Sequence, residues 1–445
     1  MRLITSAFLN LKTRILNLPD NTIYPKGDIK MNDEKIFEQY ESNVRSYCRN
    51  FPAVFAKSKG SVITDCNGVD YIDFFNGAGA LNYGHNNDYI KAKVIDYLIN
   101  DGLTHGLDMM TVPKAELIST LEEKVLKPRG LDYKVMFPGP TGTNAVEAAL
   151  KLARKYTHRR TVWALMGAFH GMTLGALSLT SDQDSRGGAG VPLNDVVHIP
   201  APYMFPDFDT IEYMETLLAD DHSATEKPAA FILETVQAEG GIYVLEVDYL
   251  KRVREFCDKH GIIMIVDDIQ VGCARTGTFF SFERAGIVPD MVVLSKSIGG
   301  YGFPFALTLF KPEFDVFSPG EHNGTFRGNQ IAIVASKAGL EFMLDNNVEK
   351  MARDKGEIIR KFLAENIEPL GITVRGIGCI WGIDMLCSNR SQAVVRYCFE
   401  HNVILERAGR DNCMVKIMPA LVIEDDLLLK GLEVVKDAVL SVINK

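Results

Sequence analysis

Apolar residues in this chain fall mostly into short runs rich in β-branched side chains. Residues 161–166, 229–234, 262–267, 291–295 and 306–310 each form such a run, bounded by turn residues. A run that short and that continuously apolar reads as a strand buried on both faces of a sheet. Stretches of helical periodicity, such as 247–260, separate some of them. The alternation predicts an α/β domain with a mostly parallel sheet flanked by helices. Past Asn329 the pattern changes. Helices over about 331–344 and 348–366 lead to short strands near 372–375 and 379–385, and an amphipathic helix spans 425–443. This reads as a second, smaller α+β domain. Nearer the start, 36–48 has a weak helical pattern, and the runs 61–65 and 69–75 flank Asn67-Gly68, a strong hairpin signal assigned to the smaller domain. The predicted division is an extension over 1–30, a segment over 31–85 joining the small domain, a large domain over 86–333 and a small domain over 334–445.

Two of the buried runs end in reactive side chains. Residues 262–266 lead to Asp267-Asp268-Ile269-Gln270, and 291–294 lead to Ser295-Lys296-Ser297 and a Gly299-Gly300 loop. If the two strands are parallel, both ends reach the same sheet edge, where open α/β sheets hold their ligands. A carboxylate and an amine meeting there suit a cofactor that condenses with an amine and carries a basic ring nitrogen, and pyridoxal phosphate is that cofactor. In this reading Asp267 keeps the ring nitrogen protonated, Lys296 is the nucleophile and proton carrier, and Gln270 donates to the ring hydroxyl oxygen.

Other motifs complete the picture. Gly139-Pro140-Thr141-Gly142-Thr143-Asn144 runs into an alanine-rich helix over 145–155. Loop glycines feeding a helix N-terminus offer free amides and a positive dipole end to an anion such as a phosphate. No G-K-[ST] follows, which excludes a nucleotide P-loop. Phe169-His170-Gly171 places an aromatic ring where it can stack on a flat cofactor. The Gly- and Ala-rich stretch from Asn76 to His85 marks backbone that must approach something closely. Taken singly, each feature has a plainer reading: a capped helix, a structural histidine, a strand-end acid in a turn, a solvated lysine. Their joint occurrence at successive sheet-edge positions outweighs those readings.

Composition narrows the class. The chain has 445 residues, 47% of them apolar and 24% charged, as in an ordinary globular enzyme of two or three structural units. A net charge of −9 without a basic patch excludes a nucleic-acid partner. Eight cysteines without a C-x-x-C pair exclude a zinc ribbon, predict no metal, and fit a reducing, cytoplasmic setting. No apolar run has the roughly 18 residues of a membrane helix. Before Asp20 the only charges are Arg2, Lys12 and Arg14, and they interrupt any signal-peptide core, so residues 1–30 read as a dispensable extension or an upstream start, with an organelle-type presequence as the alternative.

These residues resemble the fold-type I, pyridoxal-phosphate-dependent aminotransferases of class III, the group that includes ornithine and 4-aminobutyrate aminotransferases. The resemblance covers nearly the whole chain after Met31. It rests on Gly142-Thr143, Phe169-His170-Gly171, Glu234 with Gln237-Ala238-Glu239-Gly240-Gly241, Asp267-Asp268-Ile269-Gln270, Arg275-Thr276-Gly277 and Ser295-Lys296-Ser297. It implies Lys296 and Asp267 as catalytic residues, and Gly142, Thr143, Phe169, His170, Glu234 and Gln270 around the cofactor. His322 to Asn329 resembles the family segment that lends a threonine to the neighbouring subunit's phosphate, which implies a homodimer with Thr325 in that role.

The stretches 77–87, 127–135 and 321–329 resemble more specifically the branch that moves the amine of L-glutamate onto L-aspartate 4-semialdehyde by a ping-pong mechanism, giving 2-oxoglutarate and L-2,4-diaminobutyrate. Ornithine, acetylornithine or 4-aminobutyrate is the nearest alternative amine source, and isomerisation or decarboxylation on the same cofactor is a more distant one. Tyr83, Glu239 and Lys416 are then expected at the substrate. In ornithine-type relatives a glutamate masks an arginine until a dicarboxylate needs it; the matching pair here is Glu239 and Lys416. Lysine is a point charge without the guanidinium's bidentate fork. Two glycines of the family pattern are replaced by Ala238 and Ala274.

Overall fold

A computed structural model of the protein describes residues 35–205 and 207–443. The extension expected over 1–30 lies outside them. Three strands come first: β1 (Phe55–Lys59), β2 (Val62–Asp65) and β3 (Asp70–Asp73), the last two being the Asn67-Gly68 hairpin. Nine more follow: β4 (Lys134–Met136), β5 (Val162–Leu165), β6 (Val196–Ile199), β7 (Ala230–Leu233), β8 (Val236–Gln237), β9 (Tyr243–Val244), β10 (Ile263–Asp267), β11 (Met291–Leu294) and β12 (Leu307–Phe310). The remaining five are β13 (Val374–Ile377), β14 (Ile380–Asp384), β15 (Val403–Ile404), β16 (Glu406–Ala408) and β17 (Met414–Ile417).

Seven strands form the main sheet in the order β4-β12-β11-β10-β7-β5-β6. Strands β5, β6, β7, β10 and β11 run parallel, and only β12 is reversed against its neighbours. Every residue of β5, β7, β10, β11 and β12 is buried, as expected for strands covered by helices on both faces. Two large apolar clusters lie on the opposite faces: one around Trp163, Phe231, Met264 and Leu294, the other around Val162, Ile232, Ile265 and Val293. Alternate residues of one strand thus serve different layers.

A second core gathers Phe74, Ile383, Val415, Leu428 and Val435 beneath two smaller sheets, β13-β14-β17-β16 and β1-β2-β3-β15. The early hairpin enters this unit because β3 pairs in parallel with β15. The helix Gln330–Asp345, which the change of pattern after Asn329 assigns to the small domain, packs on the main core through Ile333, Leu340 and Met343. The weak helix expected over 36–48 is two short pieces, Lys35–Tyr40 and Tyr47–Asn50. Neither buries a residue, so no packed face joins them into one helix.

Candidate active site

The parallel pairing of β10 and β11 sets the geometry. Asp267 lies opposite Val293, so Lys296 leaves the adjacent strand just past it, at the same sheet edge. Asp267 is almost fully buried. Its Oδ1 accepts from the backbone of Ile269 (3.1 Å), and its Oδ2 meets His170 Nδ1 at 2.7 Å. Burial disfavours a charged imidazole, but the Asp267 carboxylate outweighs that and holds the His170 pKa above its ordinary value. His170 therefore orients Asp267, and each carboxylate oxygen, with one hydrogen bond, keeps capacity for another. Asp268, one residue on, turns inward and accepts from Ser281 N (2.9 Å) and from its hydroxyl. Burial pushes the Asp268 carboxyl up to about 7.

Lys296 is held by its neighbours on both sides. Ser295 Oγ donates to Phe305 O (2.8 Å) and Ser297 Oγ to Gly79 O (2.7 Å). The lysine backbone sits at φ +54°, a region that costs a non-glycine residue about 1–3 kcal/mol and is tolerated where the surroundings over-determine it. Its ammonium makes no hydrogen bond or ion pair among the described residues. Burial pulls its pKa below the ordinary lysine value; Lys416 assists, while Glu239, Glu406 and Asp267 oppose. An amine so placed is a competent nucleophile and proton carrier.

The phosphate end lies beside this pair. The helix Gly142–Thr157 begins with a capping box between Thr141 and Asn144. A Cβ at Gly142 would come within 2.8 Å of Ile269 Cδ1, and one at Gly171 within 2.6 Å of Thr143 Oγ1. The helix start is thus wedged between the turn after Asp267 and the Phe169-His170-Gly171 loop, where its free amides meet the same edge. Thr143 Oγ1 also pairs with Thr173 Oγ1 at 2.6 Å. Glu234, buried with its pKa pushed up to about 7 by desolvation, accepts from the backbone of Phe169 (3.0 Å) and Ala238 (3.3 Å). It ties the aromatic loop to the Glu239 loop.

The Gly- and Ala-rich stretch closes the other side. Ala78 O accepts from Gln270 Nε2 (2.9 Å), and Asn82 Nδ2 donates to Cys273 O (2.8 Å). Buried Arg275 donates to Cys379 O (3.0 Å), Pro419 O and Asn82 Oδ1, bracing three segments around the site. Gln270 differs from expectation. Its amide nitrogen is engaged by Ala78 O and Glu239 Oε1 (3.0 Å), leaving a buried, unpartnered Oε1. That oxygen suits a ring hydroxyl as donor, the reverse of the predicted direction. Ala238 packs in a small apolar cluster without strain in φ, whereas Ala274 adopts φ +75°, where its family's glycine is at ease.

Beyond Lys296 the charges are arranged differently. Lys416, in β17, has no solvent exposure at all. Its ammonium donates to Glu239 Oε1 (2.7 Å) and lies 2.8 Å, off the hydrogen-bond axis, from Glu406 Oε1. Burial disfavours the Lys416 charge, but Glu239 and Glu406 together raise its pKa above the ordinary value. Glu239 is only partly buried; desolvation disfavours its charge, yet Lys416 and Lys296 hold its pKa well below the usual carboxylate range. Tyr47, half exposed on the short helix Tyr47–Asn50, lies within electrostatic reach of this group; partial desolvation, then Glu406 and Glu239, push its phenol up to about 12.

The structure therefore brings together Asp267, Lys296, His170, Glu234, Gly142, Thr143, Gln270, Glu239 and Lys416. It does not bring in Tyr83, whose ring is buried in the main core edge-on to Phe342, beneath Gly339. Thr325 is exposed, without a hydrogen bond to the site residues of its own chain. Sequence reading missed Glu406 and Tyr47. Glu406 ends the apolar run Val403-Ile404-Leu405, and Lys416 interrupts Met414-Val415-Ile417-Met418; opposite charges inside two apolar runs were the available signal.

A buried acid, an unpaired lysine, a helix start and two unsatisfied buried atoms, Gln270 Oε1 and His170 Nε2, fit pyridoxal 5′-phosphate. The fold and these residues define a pyridoxal-phosphate-dependent transferase of fold-type I. The family model of aminotransferase class-III matches residues 44–439, and the chain belongs to that family. Among relatives, the diaminobutyrate–2-oxoglutarate transaminase of Nocardia farcinica is 51% identical over 410 residues, covering 92% of this chain and 94% of that one. The enzyme of the same name from Sporosarcina pasteurii is 48% identical over 421 residues, covering 93% and 98%. Among solved structures, an ornithine aminotransferase from Toxoplasma gondii superposes with a TM-score of 0.81 at 26% identity, covering 92% of this chain and 94% of that chain. An S-selective transaminase from Arthrobacter sp. reaches 0.84 at 23% identity, a likeness of fold, over 93% and 98% of the two chains.

Proposed function

We propose that the protein transfers the amine of L-glutamate to L-aspartate 4-semialdehyde, giving 2-oxoglutarate and L-2,4-diaminobutyrate in a ping-pong reaction. When bound, pyridoxal phosphate supplies a carbonyl that accepts an amine and a ring that withdraws electrons from the amine-bearing carbon. Asp267, oriented by His170, holds a proton at the ring nitrogen. Lys296 Nζ anchors the cofactor and afterwards carries a proton between carbons. Gly142 and Thr143 would hold the phosphate at the helix start, Phe169 would offer its ring for stacking, and Gln270 Oε1 would accept from the ring hydroxyl. Glu239 and Lys416 meet the far end of the substrate.

The observation that carries the reading is the meeting of Asp267 and Lys296 at one sheet edge, with the paired Lys416 beyond them, in a chain about half identical to transaminases of that name. Two features extend it. Leu107, Met109, Met110, Val112 and Phe326 are exposed apolar residues on two segments that touch, through the ring contact of His105 with Phe326 and the Thr111–Gln330 hydrogen bond. A patch of that kind beside Thr325 supports a homodimer in which Thr325 reaches the neighbouring phosphate. Eight free cysteines support a cytoplasmic location. No helix among the described residues is long and apolar enough to cross a membrane.

The test is a product assay with glutamate and aspartate semialdehyde. Formation of diaminobutyrate with a 1:1 yield of 2-oxoglutarate is the expected result. Turnover confined to ornithine, acetylornithine or 4-aminobutyrate would overturn the substrate assignment.

A further inference from the structure

Lys416 is held by two carboxylates that differ in freedom. Glu239 sits on a turn with Gly240 and Gly241, with about a third of its side chain exposed (32%), so solvent lies open to it once its bonds from Lys416 and Gln270 are exchanged for a substrate carboxylate. Glu406 lies directly opposite Lys416 in the β16–β17 pair, with 6% of its side chain exposed. The strand register leaves it no such exit. When Glu239 leaves, Lys416 is therefore still neutralised. The formal charge of Glu239, Lys416 and Glu406 is −1 at rest and zero with Glu239 turned away. It becomes +1 only if Glu406 is also protonated.

We propose that Glu406 is a specificity-determining residue: fixed against Lys416, it keeps the far end of the substrate pocket acidic, favours an ammonium-bearing chain there, and makes capture of a dicarboxylate depend on its taking up a proton from solvent. This rests on the amine exchange set out under the proposed function. It answers a difficulty of that exchange, in which one pocket receives both a dicarboxylate and a diamine. A lone buried cation would repel the diamine, whereas one already neutralised by Glu406 holds a second carboxylate less strongly. A proton that comes and goes on Glu406 serves both.

The charged and titratable groups facing Glu406 are Lys416 from β17, Glu239 from the turn after β8 and Lys296 from the turn after β11, with Tyr47 of the short helix within electrostatic reach. Burial pushes the Glu406 carboxyl up to about 7, Lys416 opposing and Glu239 reinforcing. Glu239 is held low, so the proton goes to Glu406 first. A carboxyl titrating near neutrality changes state across the working range without large cost.

Two measurements test this on the cofactor-loaded enzyme. In the first, kcat/KM for glutamate and for diaminobutyrate is followed from pH 6 to 9 in wild type and in Glu406→Gln, which mimics the protonated form. The wild-type value for glutamate should fall about tenfold between pH 7 and 8–9 relative to that for diaminobutyrate, and E406Q should remove this fall and gain about tenfold in preference for glutamate at pH 8. In the second, glutarate, a dicarboxylate without an amine, is bound by calorimetry in two buffers of different ionisation enthalpy. Wild type should take up about half a proton per site more than E406Q at pH 7. Equal proton uptake, with an unchanged preference between the two substrates, overturns the inference. Should E406Q fail to fold, a wild-type preference that is flat with pH overturns it. A wild type that turns over neither substrate instead defeats the functional reading, while the glutarate proton count remains readable.

Discussion

The two ends of the site are built on opposite plans. At the cofactor end, Asp267, His170, Glu234 and the helix start at Gly142 each answer to backbone groups or to one another, and their positions follow from strand ends. Their partners are fixed, as suits a group that is the same in every turnover. At the substrate end, Lys416 is shared between Glu239 and Glu406, across two strands of a different sheet and a glycine-bearing turn. On the proposed function its charges are balanced because the groups it would meet alternate between unlike substrates. A rigid site needs hydrogen bonds to backbone, whereas an adaptable one needs a buried ion cluster whose members can trade partners or protons.

This contrast makes the two ends respond differently to substitution. Lys296→Ala should lower glutamate-dependent turnover by about four orders of magnitude while leaving the fold intact. A loss within tenfold, measured in the product assay, would remove Lys296 from its role. Lys416→Met should instead strike stability. It leaves Glu406 buried without its counter-charge, and a loss of about 3–5 kcal/mol is expected from the shift of the urea midpoint. A compensating Glu406→Leu should restore much of it, and no recovery would show that the cluster is not the unit described. Asp267→Asn belongs to the first kind: about a hundredfold in kcat with little change in the unfolding midpoint.

Asp267 and Asp268 sharpen the same comparison one residue apart. The folded-state pKa of Asp268 is raised to about 7 by burial. A carboxyl with a raised pKa binds its proton more tightly in the folded state. Its contribution is therefore fully present below the unfolded value near 3.8 and is lost as pH rises through about 7. Asp268→Asn should flatten the decline in stability between pH 4 and 7 by about 2 kcal/mol, read from urea midpoints at each pH. An unchanged slope would place the pH dependence elsewhere. Smallest of all, Thr325→Ala should weaken cofactor retention about fivefold, the loss of one hydrogen bond. An unchanged retention in a dimer of known state would take Thr325 out of the shared site.

Much of the cofactor end is legible in the amino-acid sequence. Short β-branched runs, the glycines before Ala145 and the strand-end positions of Asp267 and Lys296 are local features whose consequences are local: apolar periodicity sets which strands are buried, and a parallel sheet sends their ends to one edge. Helices at Val247–His260 and Asp425–Ile443 follow from their apolar period, and Gly261 ends the first in the left-handed region. Tyr83 misled because an aromatic in a glycine-rich segment reads as site-facing, while packing against Gly339 and Phe342 turned it into the core. Gln270 misled in detail, since the partner of each amide atom is decided by Ala78 and Glu239, distant in sequence.

The amino-acid pattern was enough for the fold class, for five of the seven strands of the main sheet, and for the acid, amine and helix start expected to seat the cofactor, because each is written in the period and punctuation of a single segment. The tertiary structure alone decided that Glu406 stands opposite Lys416, that Tyr47 comes within electrostatic reach of both, and that the helix Gln330–Asp345 joins the main core. Those outcomes depend on strand register and on the packing of segments far apart in the chain. A one-residue shift in the β16–β17 pairing would send Glu406 to the other face and leave Lys416 with a single partner.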